Sequence, residues 1–399
     1  MQDRILITGA GMVSAIGIGM GETLRSLLDG RTGIAPVKYL HTGRTEFPVG
    51  EVKLTNARMK TMLGFREDAV VTRTALLGML ALGEALERAR LDREMLSEAV
   101  LVNGTTVGGM DCSELRYRDF INPDTDACSE YIAVHDCGAT TDAIADRFGR
   151  FAMTTTLSTA CSSAANAAIL GAGLIRSGRA DIVVVGGAES LSDFHLNGFA
   201  SLMILDTAQC RPFDSTRAGL NLGEGAAFLV LESEKSARRR GADPMAELAG
   251  WGNACDAFHQ TASSPDGEGA YLAMKKALSM AGMGPGAVDY VNAHGTGTPN
   301  NDSSESAALR RVFGNNMPPV SSTKSFTGHT TSASGSVEAV ICLLAMEYGF
   351  IPPNLGWTSR DADCISPSAD PDRPAELNCV LCNSFGFGGN DSSLLIRKI

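Results

Sequence analysis

Cys161 follows a strand-like run, Thr154 to Leu157, and stands at the start of a small-residue helix expected to reach Arg176. There the free N–H groups and the positive end of the helix dipole stabilise a thiolate, the nucleophilic form of cysteine. Ala160, Ser162, Ser163, Ala164 and Ala165 leave room around the sulfur, as a substrate requires. A structural thiol filling a helix–sheet contact fits the same residues, so the local pattern leaves both roles open.

Only six histidines occur, and two stand in glycine- and threonine-rich loops, Asn292-Ala293-His294-Gly295-Thr296-Gly297-Thr298 and Ser325-Phe326-Thr327-Gly328-His329-Thr330. An imidazole displayed just after a strand suits proton transfer or hydrogen bonding to a reacting group, although either one alone also fits a satisfied structural histidine. Lys324, in the run just before His329, supplies a cation near where a carboxylate or developing oxyanion would be held. Ser384-Phe385-Gly386-Phe387-Gly388-Gly389-Asn390-Asp391 offers backbone N–H groups and two aromatic rings on a flexible glycine loop. Such a loop suits an oxyanion hole with a movable gate, or a plain turn between edge strands.

Other features carry less chemistry. Gly9-Ala10-Gly11-Met12-Val13-Ser14 approaches a dinucleotide fingerprint, but Ser14 replaces the third glycine and no acidic residue ends a second strand about 20 positions on. Cys379 and Cys382 form a lone CxxC in a strand-like run, where residues three apart face opposite ways. Without a second pair no zinc site is expected, and no metal or other cofactor is assigned. Ten cysteines without regular spacing read as reduced thiols. The net charge of −11 disfavours nonspecific attraction to nucleic acid or an anionic membrane. The run Arg238-Arg239-Arg240 reads as the solvated end of a helix. No apolar run approaches the ~18 residues of a membrane helix, and Met1 to Gly11 lacks an export pattern, so a cytoplasmic location is expected.

The elements that must position these groups alternate strand and helix. Ile5 to Thr8 leads through a glycine turn to a helix at Gly21 to Leu28, and helical patterning returns from Ala69 to Arg90. Strands are expected at Ala99 to Val102, Thr154 to Leu157, Asp181 to Val185, Ala226 to Leu231, Val288 to Asn292 and Cys379 to Cys382, with helices at Tyr271 to Ala281 and Val337 to Glu347. This alternation argues for an α/β fold with a largely parallel or mixed sheet. Ser158 to Ser163 and Thr331 to Ser336 each place small polar residues before a small-residue helix, which suggests two halves of one design. With the joint near Gly241 to Pro244, the halves are residues 1–243, carrying Cys161, and 244–399, carrying both loop histidines.

Together, Thr159-Ala160-Cys161-Ser162-Ser163, the His294 loop, Ser321 to His329 and Asn383 to Gly389 resemble the β-ketoacyl-acyl carrier protein synthases in order and spacing. Arg211-Pro212-Phe213-Asp214 and Asn221-Leu222-Gly223-Glu224-Gly225-Ala226 fit as well, and the pattern looks like the elongating, Cys-His-His type. The resemblance implies a thiolase-like fold, two similar βαβ halves in a five-layered α-β-α-β-α core, working as a homodimer. It implies decarboxylative Claisen condensation of a Cys-bound acyl group with malonyl-acyl carrier protein, in fatty-acid or polyene and polyketide elongation. Cys161 would accept the acyl group, with its own N–H and that of Phe387 as the oxyanion hole. Two neutral imidazoles, His294 and His329, would hydrogen-bond the malonyl thioester, with Lys324 and Glu338 in support. Phe387 would gate the site, Val107 and Phe199 would line the acyl pocket, and Arg58, Lys60 and Arg66 would dock an acidic carrier.

The chain departs from that pattern in two places. Thr330-Thr331-Ser332-Ala333-Ser334-Gly335 stands where glycine and alanine are common, and Asn390-Asp391 replaces a common Thr-Asn pair. With Leu196-Asn197-Gly198-Phe199 and Leu202-Met203-Ile204-Leu205-Asp206, these point toward synthases of specialised polyene pathways. Two other readings compete. A non-catalytic chain-length partner would lack the nucleophile, which is retained here, and a thiolase acting on coenzyme A thioesters would carry a second cysteine where this chain has Phe385 to Gly389.

Overall fold

The computed structural model describes residues 4–121, 129–370 and 375–399, so Met1 to Asp3 and Cys128 lie outside the described residues. The strands are β1 (Ile5–Ser14), β2 (Gly17–Ile18), β3 (Val100–Gly104), β4 (Met153–Leu157), β5 (Ile182–Glu189), β6 (Gly225–Ser233), β7 (Ala246–Cys255), β8 (Tyr290–Asn292), β9 (Val320–Ser321), β10 (Cys379–Gly386) and β11 (Asn390–Arg397). Their order is β4-β3-β5-β6-β1-β7-β11-β10-β8-β9, with β2 beside β1. The first five and the last five follow one plan. β3 lies parallel to β4 and β5, as β8 lies parallel to β9 and β10. β6 runs antiparallel to β5 and β1, as β11 runs antiparallel to β10 and β7. Leu6–Glu247 and Ile7–Ala246 join the two sets of strands, between β1 and β7.

Alternation along each strand then builds the layers, because successive side chains leave a sheet on opposite faces. Val183 and Val185 of β5, Val380 and Cys382 of β10, and Leu394 and Ile396 of β11 enter one central core. That core also takes Ala165, Ala168 and Ala172 of the helix Ser163–Arg176 and Val337, Ile341 and Leu344 of the helix Ser334–Tyr348. On the far faces, Val184 packs with Leu76, Leu77 and Leu82 of the helix Arg73–Ala89. Leu381 and Leu395 pack with Met274 and Ala277 of the helix Glu268–Met280. The result is helix, sheet, paired central helices, sheet, helix: a thiolase-like α/β fold. Cys379 and Cys382 fall in different cores, as their spacing in a strand requires.

Several expectations are corrected. No turn follows Thr8: β1 continues through Gly9 and Gly11. A Cβ at Gly9 would lie 2.4 Å from the Ala85 carbonyl oxygen, and one at Gly11 would lie 2.3 Å from that of Ala81. The glycines therefore let the helix Arg73–Ala89 lie directly on the strand, and no phosphate-cradling turn exists there. The segment Ser384 to Asp391 is a tight turn between β10 and β11, which are interior strands rather than edges. Arg238 and Arg239 are solvated, but Arg240 is largely buried, 2.6 Å from Glu232 and bonded to the Ala89 carbonyl. The long strands β7 and β11 and the helices Cys137–Phe148 and Pro299–Phe313 were not anticipated. Among the described residues no helix is long and apolar enough to cross a membrane.

Candidate active site

Both histidines and the cysteine ride on segments that end strands or begin the central helices. Cys161 precedes Ser162, the N-cap of the helix Ser163–Arg176, and follows Ala160, which is held at φ 52°. Ser163 fixes this tight entry by accepting from the Thr159 N–H (2.9 Å) and donating to the Ala160 carbonyl (2.6 Å). His294 follows β8, and the carboxylate of Glu305 accepts the N–H groups of His294 (2.9 Å) and Gly295 (2.8 Å). His329 is pinned through its backbone: its N–H donates to the Asn221 carbonyl (2.7 Å) and its carbonyl accepts from Gly223 (2.9 Å).

These segments converge. His329 Nε2 lies 3.0 Å from Cys161 Sγ, and the rings of His294 and His329 meet edge to face with centroids 5.3 Å apart. Cys161, His294, His329, Phe199, Phe385 and Phe387 line one cavity of about 340 Å³. Phe199 and Phe387 stack across it at 5.9 Å. Behind His294, Lys324 Nζ lies 3.3 Å from Nδ1 and pairs with Glu338; both charged side chains are almost fully buried. Val107 does not line this cavity. Its N–H is held by Glu189 (2.8 Å), a buried carboxyl that also takes the Thr106 N–H (2.9 Å). Arg58 and Lys60 lie on the separate helix Asn56–Leu63, and Arg66 follows it, paired with Asp68.

Burial sets the protonation states. It pushes the Cys161 thiol up to about 12, against the opposing pull of Lys324 and of the Phe387 and Cys161 N–H groups directed at the sulfur. The helix-end N–H of Cys161, with Phe387 N–H and Lys324, thus offsets part of the cost of burying a thiolate, which desolvation still exceeds. Burial, with the Lys324 charge second, holds both His294 and His329 well below the usual imidazole range, so both are neutral near pH 7. Glu338 is raised to about 7 by burial, with Lys324 pulling it back.

Residues that the motifs did not single out complete the site. Glu305 organises the His294 loop, and Ser334 Oγ lies 2.9 Å from His329 Nδ1. Asn390 Oδ1 accepts from Ser162 (2.9 Å), Asn166 (2.7 Å) and Asn253 (2.8 Å), tying the cysteine turn to β7 and β11. The sequence did signal Ser334 and Asn390 as departures, but Glu305 sits unmarked in a polar helix.

Asp391 yields a stability prediction. Burial, followed by the nearby Asp256 and Glu305 charges, raises its carboxyl to about 8. From about pH 4, where the unfolded group ionises, up to pH 8, the native carboxyl keeps a proton that the unfolded chain has lost, so stability falls as pH rises. Asp391→Asn should therefore gain stability over the parent with rising pH, by several kcal/mol (on the order of 5) at pH 8 and little at pH 4. Denaturant melts of both proteins across that range measure the difference.

Comparison with known proteins gives a consistent result. Residues 2–237 match the family described as "Beta-ketoacyl synthase, N-terminal domain", and residues 245–358 match "Beta-ketoacyl synthase, C-terminal domain". The chain is 33% identical to "Putative 3-oxoacyl-[acyl-carrier-protein] synthase, mitochondrial" of Schizosaccharomyces pombe, covering 99% of each. It is 32% identical to "3-oxoacyl-[acyl-carrier-protein] synthase 2" of Synechocystis, covering 99% of this chain and 98% of that one. Among solved structures, "The ishigamide ketosynthase/chain length factor" superposes with a TM-score of 0.92 at 32% identity, over 100% of both chains. "Crystal structure of a Beta-ketoacyl synthase from Burkholderia phymatum STM815" gives 0.87 at 30% identity, again over 100% of both.

Proposed function

The chain belongs to the β-ketoacyl synthase family, and we propose how its residues divide the work of that family's condensation. It is a condensing acyltransferase that elongates acyl chains by decarboxylative Claisen chemistry. Cys161 takes the acyl group from a carrier thioester, and the N–H groups of Phe387 and Cys161 hold the oxygen of the tetrahedral intermediate. Malonyl thioester then enters beside His294 and His329, which hydrogen-bond its carbonyl oxygen as carbon dioxide leaves. The enolate attacks the Cys161 thioester. Decarboxylation itself generates the carbanion, so the site supplies electrostatic stabilisation and needs no strong base. Lys324, paired with Glu338, fixes His294 through Nδ1. Phe387 and Phe199 border the acyl route, and Val107, by the family resemblance, helps limit acyl length.

The observation that carries this reading is the 3.0 Å approach of His329 Nε2 to Cys161 Sγ inside a cavity shared with His294. It also argues against a role as a non-catalytic chain-length partner. The repeated five-strand plan supports a division into residues 1–243 and 244–399. A subunit partner is supported by Leu115, Ile121 and Phe194, exposed apolar residues near where Glu114 ties the helix Met110–Phe120 to the Phe194 N–H. Native mass of the protein alone distinguishes a second copy from a chain length factor such as the ishigamide structure names.

Acyl carrier protein is the proposed donor of both substrates, docking its acidic surface on Arg58, Lys60 and Arg66. The assay is condensation with acyl and malonyl carrier thioesters, following β-ketoacyl product and carbon dioxide. Reversing Arg58 and Lys60 to glutamate is expected to raise KM for the carrier by about tenfold or more and leave kcat within about twofold. No product with carrier thioesters, or an unchanged KM for the carrier in the variant, contradicts the proposal.

A further inference from the structure

Ser334 stands in the stretch after His329 where the family pattern favours glycine and alanine. Its hydroxyl is buried, 2.9 Å from His329 Nδ1 and 3.2 Å from Thr330 Oγ1. Across the same ring, Nε2 faces Cys161 Sγ. A neutral imidazole carries one N–H and one lone pair, so the partner of Nδ1 decides what Nε2 presents to the sulfur.

We propose that Ser334 is a positioning residue that fixes the His329 tautomer, its Oγ accepting the Nδ1–H so that the Nε2 lone pair faces the Cys161 thiol. The inference rests on the reading of Cys161 as the acyl acceptor. As sulfur bonds to the acyl carbon, its proton moves to Nε2, and the carrier leaves as a thiolate that takes a proton from solvent. His329, now an imidazolium, keeps Nδ1–H on Ser334 and offers Nε2–H to the malonyl carbonyl oxygen. When the enolate carbon bonds to the acyl carbon and the carbon–sulfur bond breaks, the departing Cys161 thiolate takes that proton back. The ring starts neutral and ends neutral. An acceptor on Nδ1 matters most while the ring is charged, because hydrogen bonds to ions are the stronger ones.

Ser334→Ala restores a residue type common in the family and favours helix, so it should fold. The expected result is that acyl transfer from carrier to Cys161, followed by rapid-quench mass spectrometry, slows by about ten- to hundredfold. Decarboxylation of malonyl carrier should not be slower in Cys161→Ala/Ser334→Ala than in Cys161→Ala, since without a thiol proton the neutral Nδ1–H ring has no Nε2–H to offer the malonyl carbonyl and releasing its tautomer removes no donor. A general structural disturbance would slow both steps alike. Nitrogen-15 shifts of His329 in the parent enzyme should report a protonated Nδ1. Equal slowing of both steps, unchanged acyl transfer, or a protonated Nε2 in the resting enzyme overturns the inference. A parent enzyme that never loads an acyl group instead overturns the reading of Cys161.

Discussion

Cys161→Ala is expected to lower condensation by about 10⁴-fold or more while malonyl decarboxylation persists within about tenfold. The two outcomes follow from the division of the cavity. The sulfur is the sole proposed covalent acceptor, so without it the acyl group has no place to wait for the enolate. The donors that stabilise the enolate are on other segments: His294 is oriented by Lys324 from behind and by Glu305 through its backbone. Removing one sulfur atom touches neither of these supports of His294, although it takes away the proton that lets His329 donate. Steady-state release of carbon dioxide, measured beside β-ketoacyl product, separates the steps. Loss of both in the variant would mean that the cysteine turn holds the site together rather than serving as nucleophile.

Glu338→Ala should produce the largest loss of stability of any single change near the site. It removes the carboxyl that pairs with Lys324, whose side chain is about 1% exposed, and strands an ammonium group in the protein interior. Breaking a buried ion pair from one side costs about 3–5 kcal/mol, whereas replacing both partners with apolar groups is often close to neutral. The double variant Lys324→Met/Glu338→Leu is therefore expected to recover most of that stability while losing the support of His294 Nδ1, and with it most of the decarboxylation rate. Unfolding followed in denaturant at pH 8, above the raised titration of Glu338, checks the first half. An equal loss in the single and double variants would show that the charge pair is not the source of the effect.

How much of this was legible in the chain differs by residue for physical reasons. Cys161, His294 and His329 stood out through local features: a strand and a helix start flank Cys161, a strand precedes His294, and small residues surround all three, although His329 follows the short helix Lys324–Thr327 rather than the strand expected. The repeated small-residue entry at Ser158 and Thr331 correctly marked the starts of two central helices. Protonation was not readable: the helix end at Cys161 is local, but the depth of burial that overrides it comes from sheets and helices far along the chain. Gly9 and Gly11 misled because a glycine pair signals a turn as readily as a close helix contact, and only the tertiary approach of Ala81 and Ala85 distinguishes them. Strand β7, Ala246–Cys255, escaped notice because its glycines Gly250 and Gly252 interrupt the apolar alternation; a Cβ at Gly252 would lie 2.1 Å from the Ala273 carbonyl oxygen, again a helix contact. Glu305 carried no signal because a carboxylate that caps a distant loop looks, in sequence, like any acidic residue in a polar helix.

The most direct test of a thioester held where these segments meet is to weigh the intact protein after mixing it with an acyl carrier thioester, then locate the added mass by peptide. The account predicts one acyl group per chain, on Cys161 alone and sensitive to hydroxylamine. Acyl groups on the exposed Cys255, or no gain in mass from any acyl carrier thioester, would contradict it.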